Sequence, residues 1–194
     1  MTTNRREEIL DAAVEVFAER GYRGASFDAI AERAGLTRQG VLHYFPSKKK
    51  LMVAILQHRE DLARRHLVEH LGQGQADEDE DVPGKIAEIV AFDHLNPALT
   101  QVYSMLMAES IVQGDGARQD IQNHYRTLLE YMTEQIAVRY GPVLGNGLTP
   151  RAAATAMIVM LDGIQQQWLL NQDETDYPTI MRDVMSVVLG PKPG

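Results

Sequence analysis

Apolar residues recur at helical spacing in every segment of this chain, and nowhere at the two-residue spacing of a strand. Ile9, Ala13, Val16 and Phe17 follow the i, i+4, i+7, i+8 pattern of a helix with one buried face. Gly21 stops that segment. A short second segment starts behind Ser26, whose hydroxyl suits an N-cap, and runs through Ile30 and Ala31 to Ala34 before Gly35. A third follows Thr37 to about Tyr44. Pro46-Ser47 then breaks the chain, and a fourth starts at Lys48, carries Leu51, Ile55 and Leu62, and runs to about Leu71.

Farther on, Asp77-Glu78-Asp79-Glu80-Asp81 reads as a solvated loop, because five like charges repel. A fifth segment from about Val82 carries Ile86, Ile89, Val90 and Phe92, and a sixth runs from Pro97 to about Gln113. Ile121, Tyr125, Leu128, Leu129, Met132 and Ile136 mark the seventh, closed by Gly141-Pro142. Thr149-Pro150 opens the eighth, with the stripe Ala153, Met157, Met160, Leu161, Ile164 and Trp168. The ninth, from about Asp176, shows Ile180, Val184, Val187 and Val188 before Gly190. The expected fold is all-α with about nine helices. A three-helix head holding a helix-turn-helix (residues 1–47) is joined by a long helix (48–71) to a C-terminal helical bundle (72–194).

A chain of 194 residues is long enough to bury a core without covalent staples. It has no cysteine, which excludes disulfides, thiolate metal sites, a cysteine nucleophile and thiol redox sensing. The first apolar stretch is interrupted by Asp11, Glu15 and Glu19, unlike the core of a secretory signal. The longest apolar runs, such as Ala156 to Leu161, fall far below the ~18 residues of a membrane span. A cytoplasmic protein with no membrane partner is the expectation.

Charge is unevenly distributed. The formal net charge is −8, which argues against a general nucleic-acid coat protein. Yet from Arg33 to Arg59 the chain carries Arg33, Arg38, Lys48, Lys49, Lys50 and Arg59 and no acid. A small basic face on an acidic body suits an anion-binding head.

The second and third segments, joined by Gly35-Leu36-Thr37, have the helix-turn-helix pattern. Gly35 permits the sharp turn, and Ala31 and Ala34 allow close packing. Val41, Leu42 and Phe45 form the apolar face of the third segment, leaving Arg38, Gln39, Gly40, His43 and Tyr44 to face outward. Those types suit a major groove: Arg forks onto guanine, Gln onto adenine, and Gly40 lets the backbone approach. Thr37, Tyr44 and the start of the fourth helix at Lys48 suit phosphates.

With these residues in view, the chain resembles the tetracycline-repressor-like (TetR) family of bacterial one-component regulators. The resemblance rests on Ile9-Leu10-Asp11-Ala12-Ala13, Phe17-Ala18-Glu19-Arg20-Gly21-Tyr22, Ser26, Ile30-Ala31, Ala34-Gly35-Leu36-Thr37 and Leu42-His43-Tyr44-Phe45-Pro46-Ser47-Lys48. It covers the first ~50 residues, the length of one helix-turn-helix head. The segment Asp162-Gly163-Ile164-Gln165-Gln166-Gln167-Trp168-Leu169-Leu170 resembles one branch of such regulators less specifically. Carried over by position, Ser26, Thr37, Tyr44 and Lys48 would hold phosphates. Arg38, Gln39, Gly40 and His43 would lie along base edges, and Arg5 and Arg6 would form an arm to adjacent DNA. The resemblance also implies a double-stranded DNA operator, a homodimer through the last two helices, and a small-molecule effector in a pocket framed by helices five to eight. The apolar stripes of the eighth and ninth segments fit that dimer independently.

For the effector pocket, Phe92, Tyr103, Met107, Tyr125, Met132 and Trp168 offer an adaptable apolar lining. Met105, Met157 and Met160 share those stripes, with ordinary core packing as the simpler role. Asp93, His94 and Glu109 are polar within apolar helices, able to orient a ligand or to face water. His58, His66 and His70 fall near one face of the fourth helix, with Glu69 close by. A polar helix edge accounts for them better than a metal site, which would need a third ligand. No catalytic constellation, cofactor motif or metal site stands out, so the reading is a regulator, most simply a repressor, and not an enzyme. An effector-independent structural DNA binder and a helical-bundle enzyme or partner-binding module are the alternatives, separated by salt dependence and by the operator-to-random affinity ratio.

Overall fold

A computed structural model describes residues 5–71, 81–113, 116–172 and 176–191. Among them the chain forms nine helices and no strand. They are α1 (Arg5–Gly24), α2 (Phe27–Arg33), α3 (Arg38–Tyr44), α4 (Lys48–Leu71), α5 (Val82–Leu95), α6 (Pro97–Gln113), α7 (Gly116–Tyr140), α8 (Pro150–Leu170) and α9 (Tyr177–Leu189). The all-α expectation holds. Of the acidic run, Asp77 to Glu80 lie outside the described residues. Asp81 is described, and its carboxylate accepts from the Gly84 N–H and from Arg182. Both contacts hold it below the usual carboxylate range.

The chain divides into two compact units, residues 1–62 with 96–121, and residues 63–95 with 122–194. In the first, α1 buries Ile9, Leu10, Ala13, Val16 and Phe17. It breaks at Gly21, whose φ of 66° and ψ of 175° leave the helical region. The sixth helix belongs to this unit and packs on α1, burying Leu99, Val102, Tyr103 and Leu106. Two buried polar side chains here meet partners. The His58 ring lies 3.1 Å from an Asp11 carboxylate oxygen, and the Arg59 guanidinium lies 4.3 Å from the centre of the Tyr103 ring.

The second unit packs α5 and α8 on α9 around Ile86, Val90, Ile136, Tyr140, Leu144, Ala153, Ala154, Met157, Met181, Met185 and Leu189. Its helices begin where their caps dictate. Thr149 accepts from the Ala152 N–H and Asp176 from the Thr179 N–H, each satisfying an amide that the helix leaves unpaired. At the other end of α9, the Asn146 amide donates to the carbonyls of Val187 and Val188. No helix among the described residues is long and apolar enough to cross a membrane.

Candidate nucleic-acid interface

The helix-turn-helix is assembled by local hydrogen bonding. Ser26 caps α2 by accepting from the Ala29 N–H at 3.2 Å, and Thr37 caps α3 by accepting from the Gly40 N–H at 3.1 Å. Between them the chain ends α2 in a paired C-cap: Leu36 N–H bonds to Ala31 O at 2.8 Å, and Gly35 N–H to Glu32 O at 3.2 Å. That geometry requires the left-handed backbone of Gly35, with φ of 64°. Two capped helices meeting at a glycine turn therefore fix the angle at which α3 is presented.

The third helix has the two faces expected of it. Val41 and Phe45 are buried, while Arg38, Gln39, His43 and Tyr44 are exposed and Gly40 is half-buried. His43 and Tyr44 meet edge to face, ring centres 5.5 Å apart. A Cβ on Gly40 would meet the Thr37 hydroxyl oxygen at 3.4 Å, an ordinary contact, so the cap itself does not require glycine there. The Ser26 and Thr37 hydroxyls accept within the fold and keep their own hydrogen for donation outward.

Ion pairs stiffen this end. Arg33, on the last turn of α2, reaches Glu15 at 2.6 Å and Glu19 at 2.8 Å on α1, and these carboxylates hold its guanidinium above its ordinary pKa. Arg38 pairs with Asp28 at 2.8 Å, joining the first turns of α3 and α2. Arg5 pairs with Glu8 within α1, and the Arg6 guanidinium lies 5.4 Å from the Phe45 ring centre.

Lys48 has a different setting from the one its position suggested. Its ammonium donates to the carbonyls of Tyr22 and Ala25, the latter at 2.7 Å, and sits 4.5 Å from the Tyr22 ring centre. It clamps the α1–α2 connection to the start of α4. Burial pushes its pKa below the usual lysine range, and the charge of Glu109 opposes this. A cation at a helix N-terminus works against the helix dipole, which was the available sequence signal that it serves a partner. Ser47 caps the same helix by accepting from the Lys50 N–H, and Lys50 is exposed.

The residues singled out for a ligand fall in both units. Tyr103 and Met107 are on α6 in the first; Phe92, Tyr125, Met132 and Trp168 are in the second. There the His94 ring stacks on Trp168 at 4.3 Å, and Tyr125 donates to the Asp162 carboxylate at 2.7 Å. Phe92 lies against His66, whose ring is 3.3 Å from a Glu88 oxygen, and Met132 packs on the core. Sequence reading missed that Gln165 donates to the buried carboxylate of Asp93. The His94 Nε2 atom is buried without a hydrogen-bond partner among the described residues. Burial pushes its pKa down, against the charges of Asp93 and Asp176. The side chain of His70 lies outside the described residues. Among those described, no group of three or more His, Cys, Asp or Glu is placed to hold a metal ion.

Comparison with known proteins extends this picture. The family described as bacterial regulatory proteins, tetR family, matches residues 9–55, which span α1 to the start of α4. The HTH-type transcriptional activator FasR of Mycolicibacterium smegmatis is 46% identical over 57 residues, 29% of this chain and 26% of that protein. The HTH-type transcriptional repressor AcnR of Corynebacterium efficiens is 44% identical over 61 residues, 31% of each chain. The matched stretch thus spans less than a third of either relative. Over the whole chain the likeness is one of fold. The transcriptional regulator FadR of Bacillus subtilis, in complex with stearoyl-CoA, superposes with a TM-score of 0.75 at 20% identity, covering 95% of this chain and 97% of that one. The capped helix-turn-helix and its sequence together make the N-terminal part of this chain a domain of the tetR family of bacterial regulatory proteins.

Proposed function

We propose that this chain is a ligand-responsive transcriptional regulator, acting as a repressor, that binds a near-palindromic operator as a homodimer and is released by a small-molecule effector. The observation that carries the reading is the exposed row Arg38, Gln39, His43 and Tyr44 on a helix fixed by two caps and a glycine turn. Arg38, Gln39, Gly40 and His43 read base edges; Ser26, Thr37 and Tyr44 hold phosphates. Lys48 sets the start of α4, whose N-terminal amides face a phosphate. Two heads then sit ~34–36 Å apart on adjacent major grooves. The sense of regulation follows AcnR, a repressor; FasR, an activator, marks the opposite outcome.

Dimerisation through α8 and α9 is supported by apolar side chains left in water on both: Val159 and Leu170 on one, Ile180 and Val187 on the other. The effector site is the interior of the second unit around Phe92, Tyr125, Met132 and Trp168; Tyr103 and Met107, on α6 in the first unit, are not placed in it. Effector and DNA are coupled by ~1–3 kcal/mol, ~5–150-fold in affinity, and each weakens the other by the same factor. The fourth helix, with residues in each unit, carries that coupling.

The test is fluorescence anisotropy with the DNA flanking the chain's own gene against random duplex, across a salt series, with wild type and a Gln39→Ala, Tyr44→Ala double variant. Both residues are exposed, so the variant keeps the fold. Tight, salt-steep binding that prefers the flanking DNA and weakens in the variant supports the regulator. Equal affinity for both duplexes favours a structural DNA binder, and no binding at low salt by folded protein removes the DNA-binding reading.

A further inference from the structure

Arg38 opens α3, where the helix dipole opposes a cation, and α3 has no acid in its own first turn. The compensating charge comes from another helix. The Asp28 carboxylate, in the first turn of α2, accepts from Arg38 Nη1 at 2.8 Å. Both side chains are exposed, at 58% and 65%. An exposed pair of this kind contributes little to stability. An acid on a face that meets phosphates also costs affinity for DNA. Its presence there calls for another purpose.

We propose that Asp28 is a positioning residue that sets the base specificity of Arg38. The deduction rests on the regulator reading above and adds to it a residue that touches no base. Arginine has five N–H donors in a planar fork, and the bond to Asp28 engages Nη1. The Nη2 and Nε edge is left to meet O6 and N7 of a guanine as a bidentate pair. A long side chain held by one arm has fewer rotamers to lose on docking, and it is kept from swinging to a neighbouring phosphate. The frame behind the pair is fixed as well. Ser26 caps the helix bearing Asp28, Thr37 caps the one bearing Arg38, and Arg33 ties α2 to Glu15 and Glu19. Asp28 thereby turns a general cation into a directional donor.

The experiment uses the full-length chain. Wild type first selects its preferred DNA from a randomised duplex pool. Wild type, Arg38→Ala, Asp28→Asn and Asp28→Glu are then titrated against every single-base-pair variant of that DNA. The Arg38→Ala protein identifies the base pair concerned, as the one guanine position per half-site where discrimination falls ~5–150-fold. Asp28→Asn is expected to lose discrimination ~3–10-fold at that same position, a fraction of the full bidentate effect. Discrimination elsewhere and the salt slope stay unchanged, since Asp28 holds no phosphate. Asp28→Glu is expected to restore part of the loss. Unchanged discrimination at the Arg38 position in Asp28→Asn overturns the proposal. A change of the same size for every duplex, with no selective loss at the Arg38 position, also overturns it, since that is simple removal of a repulsive charge. If wild type selects no sequence, the regulator reading itself falls. If wild type selects a site and only the Asp28 prediction fails, the regulator reading stands without this refinement.

Discussion

Around α2 and α3 the polar side chains stand in water, whereas α5 and α8 each bury one, Asp93 and Gln165. Ser26, Thr37, Arg38, Gln39, His43 and Tyr44 are all exposed, while Asp93 is 1% and Gln165 6% exposed. The head fixes its backbone with caps and a glycine turn, so Gln39, His43 and Tyr44 are not needed for the turn and stand exposed. The second unit uses Asp93 and Gln165 on each other, inside an apolar layer where an unmet polar group is costly. A surface built for recognition and an interior built for shape thus place different demands on the same residue types. Substitutions in the two regions should therefore fail in different assays.

The largest expected contrast is between Met185 and Tyr44. Met185 is fully buried in the core of the second unit, and Met185→Ala is expected to lower unfolding free energy by about 2–5 kcal/mol. Tyr44→Ala, at an exposed position, is expected to change stability by less than about 0.5 kcal/mol while weakening DNA binding. Urea unfolding followed by circular dichroism, beside anisotropy on the selected DNA, measures both. A Tyr44→Ala protein as destabilised as Met185→Ala would break the division between the regions.

A smaller effect sharpens the boundary. Thr37 belongs to both categories, since its hydroxyl caps α3 and the residue stands exposed at the start of that helix, the end proposed to meet DNA. Thr37→Ala is expected to cost about 0.5–2 kcal/mol of stability, and Thr37→Ser to recover most of it. Because the hydroxyl is the feature that matters to both cap and phosphate, affinity for DNA should follow the same order. Recovery of stability without recovery of binding would separate the two roles.

The difference between the regions also explains what could be read from the residues alone. Helix limits were legible because local chemistry sets them: Ser26, Thr37, Thr149 and Asp176 each accept from the amide three residues on, and Gly21 and Gly35 take backbone angles other residues avoid. The outward row of α3 was legible because Val41 and Phe45 define the face opposite. Periodicity identifies a buried face, however, and says nothing of which helix covers it. Hence the packing of α6 on α1 and the reach of Gln165 to Asp93, 72 positions away, had no sequence signal. Lys48 was assigned to phosphates because a lysine at a helix start beside a groove-facing helix suits them. The carbonyls of Tyr22 and Ala25 that it meets are brought there by the turn at Gly21, which only the fold reveals.

The smallest effect concerns His94, the one place where the interior holds a titratable ring whose Nε2 has no partner among the described residues. Burial lowers its pKa from the ordinary 6.5, with Asp93 and Asp176 opposing. In the window between the lowered value and 6.5 the unfolded chain binds a proton there and the folded chain does not. Stability must therefore be fully present above 6.5, fall as pH drops below it, and stop falling at the folded value. Phenylalanine keeps a flat ring against Trp168, removes the unpaired nitrogen and cannot titrate. His94→Phe is thus expected to match or exceed wild-type stability near neutral pH, and to gain further on it as the solution is acidified. The other histidines are common to both proteins, so their titration cancels in the difference. Denaturant midpoints measured between about pH 5 and pH 7.5 give that difference directly. A difference that stays constant across this range would mean that the ring is as readily protonated in the fold as in the open chain, and that the interior tolerates charge in the way the recognition face does.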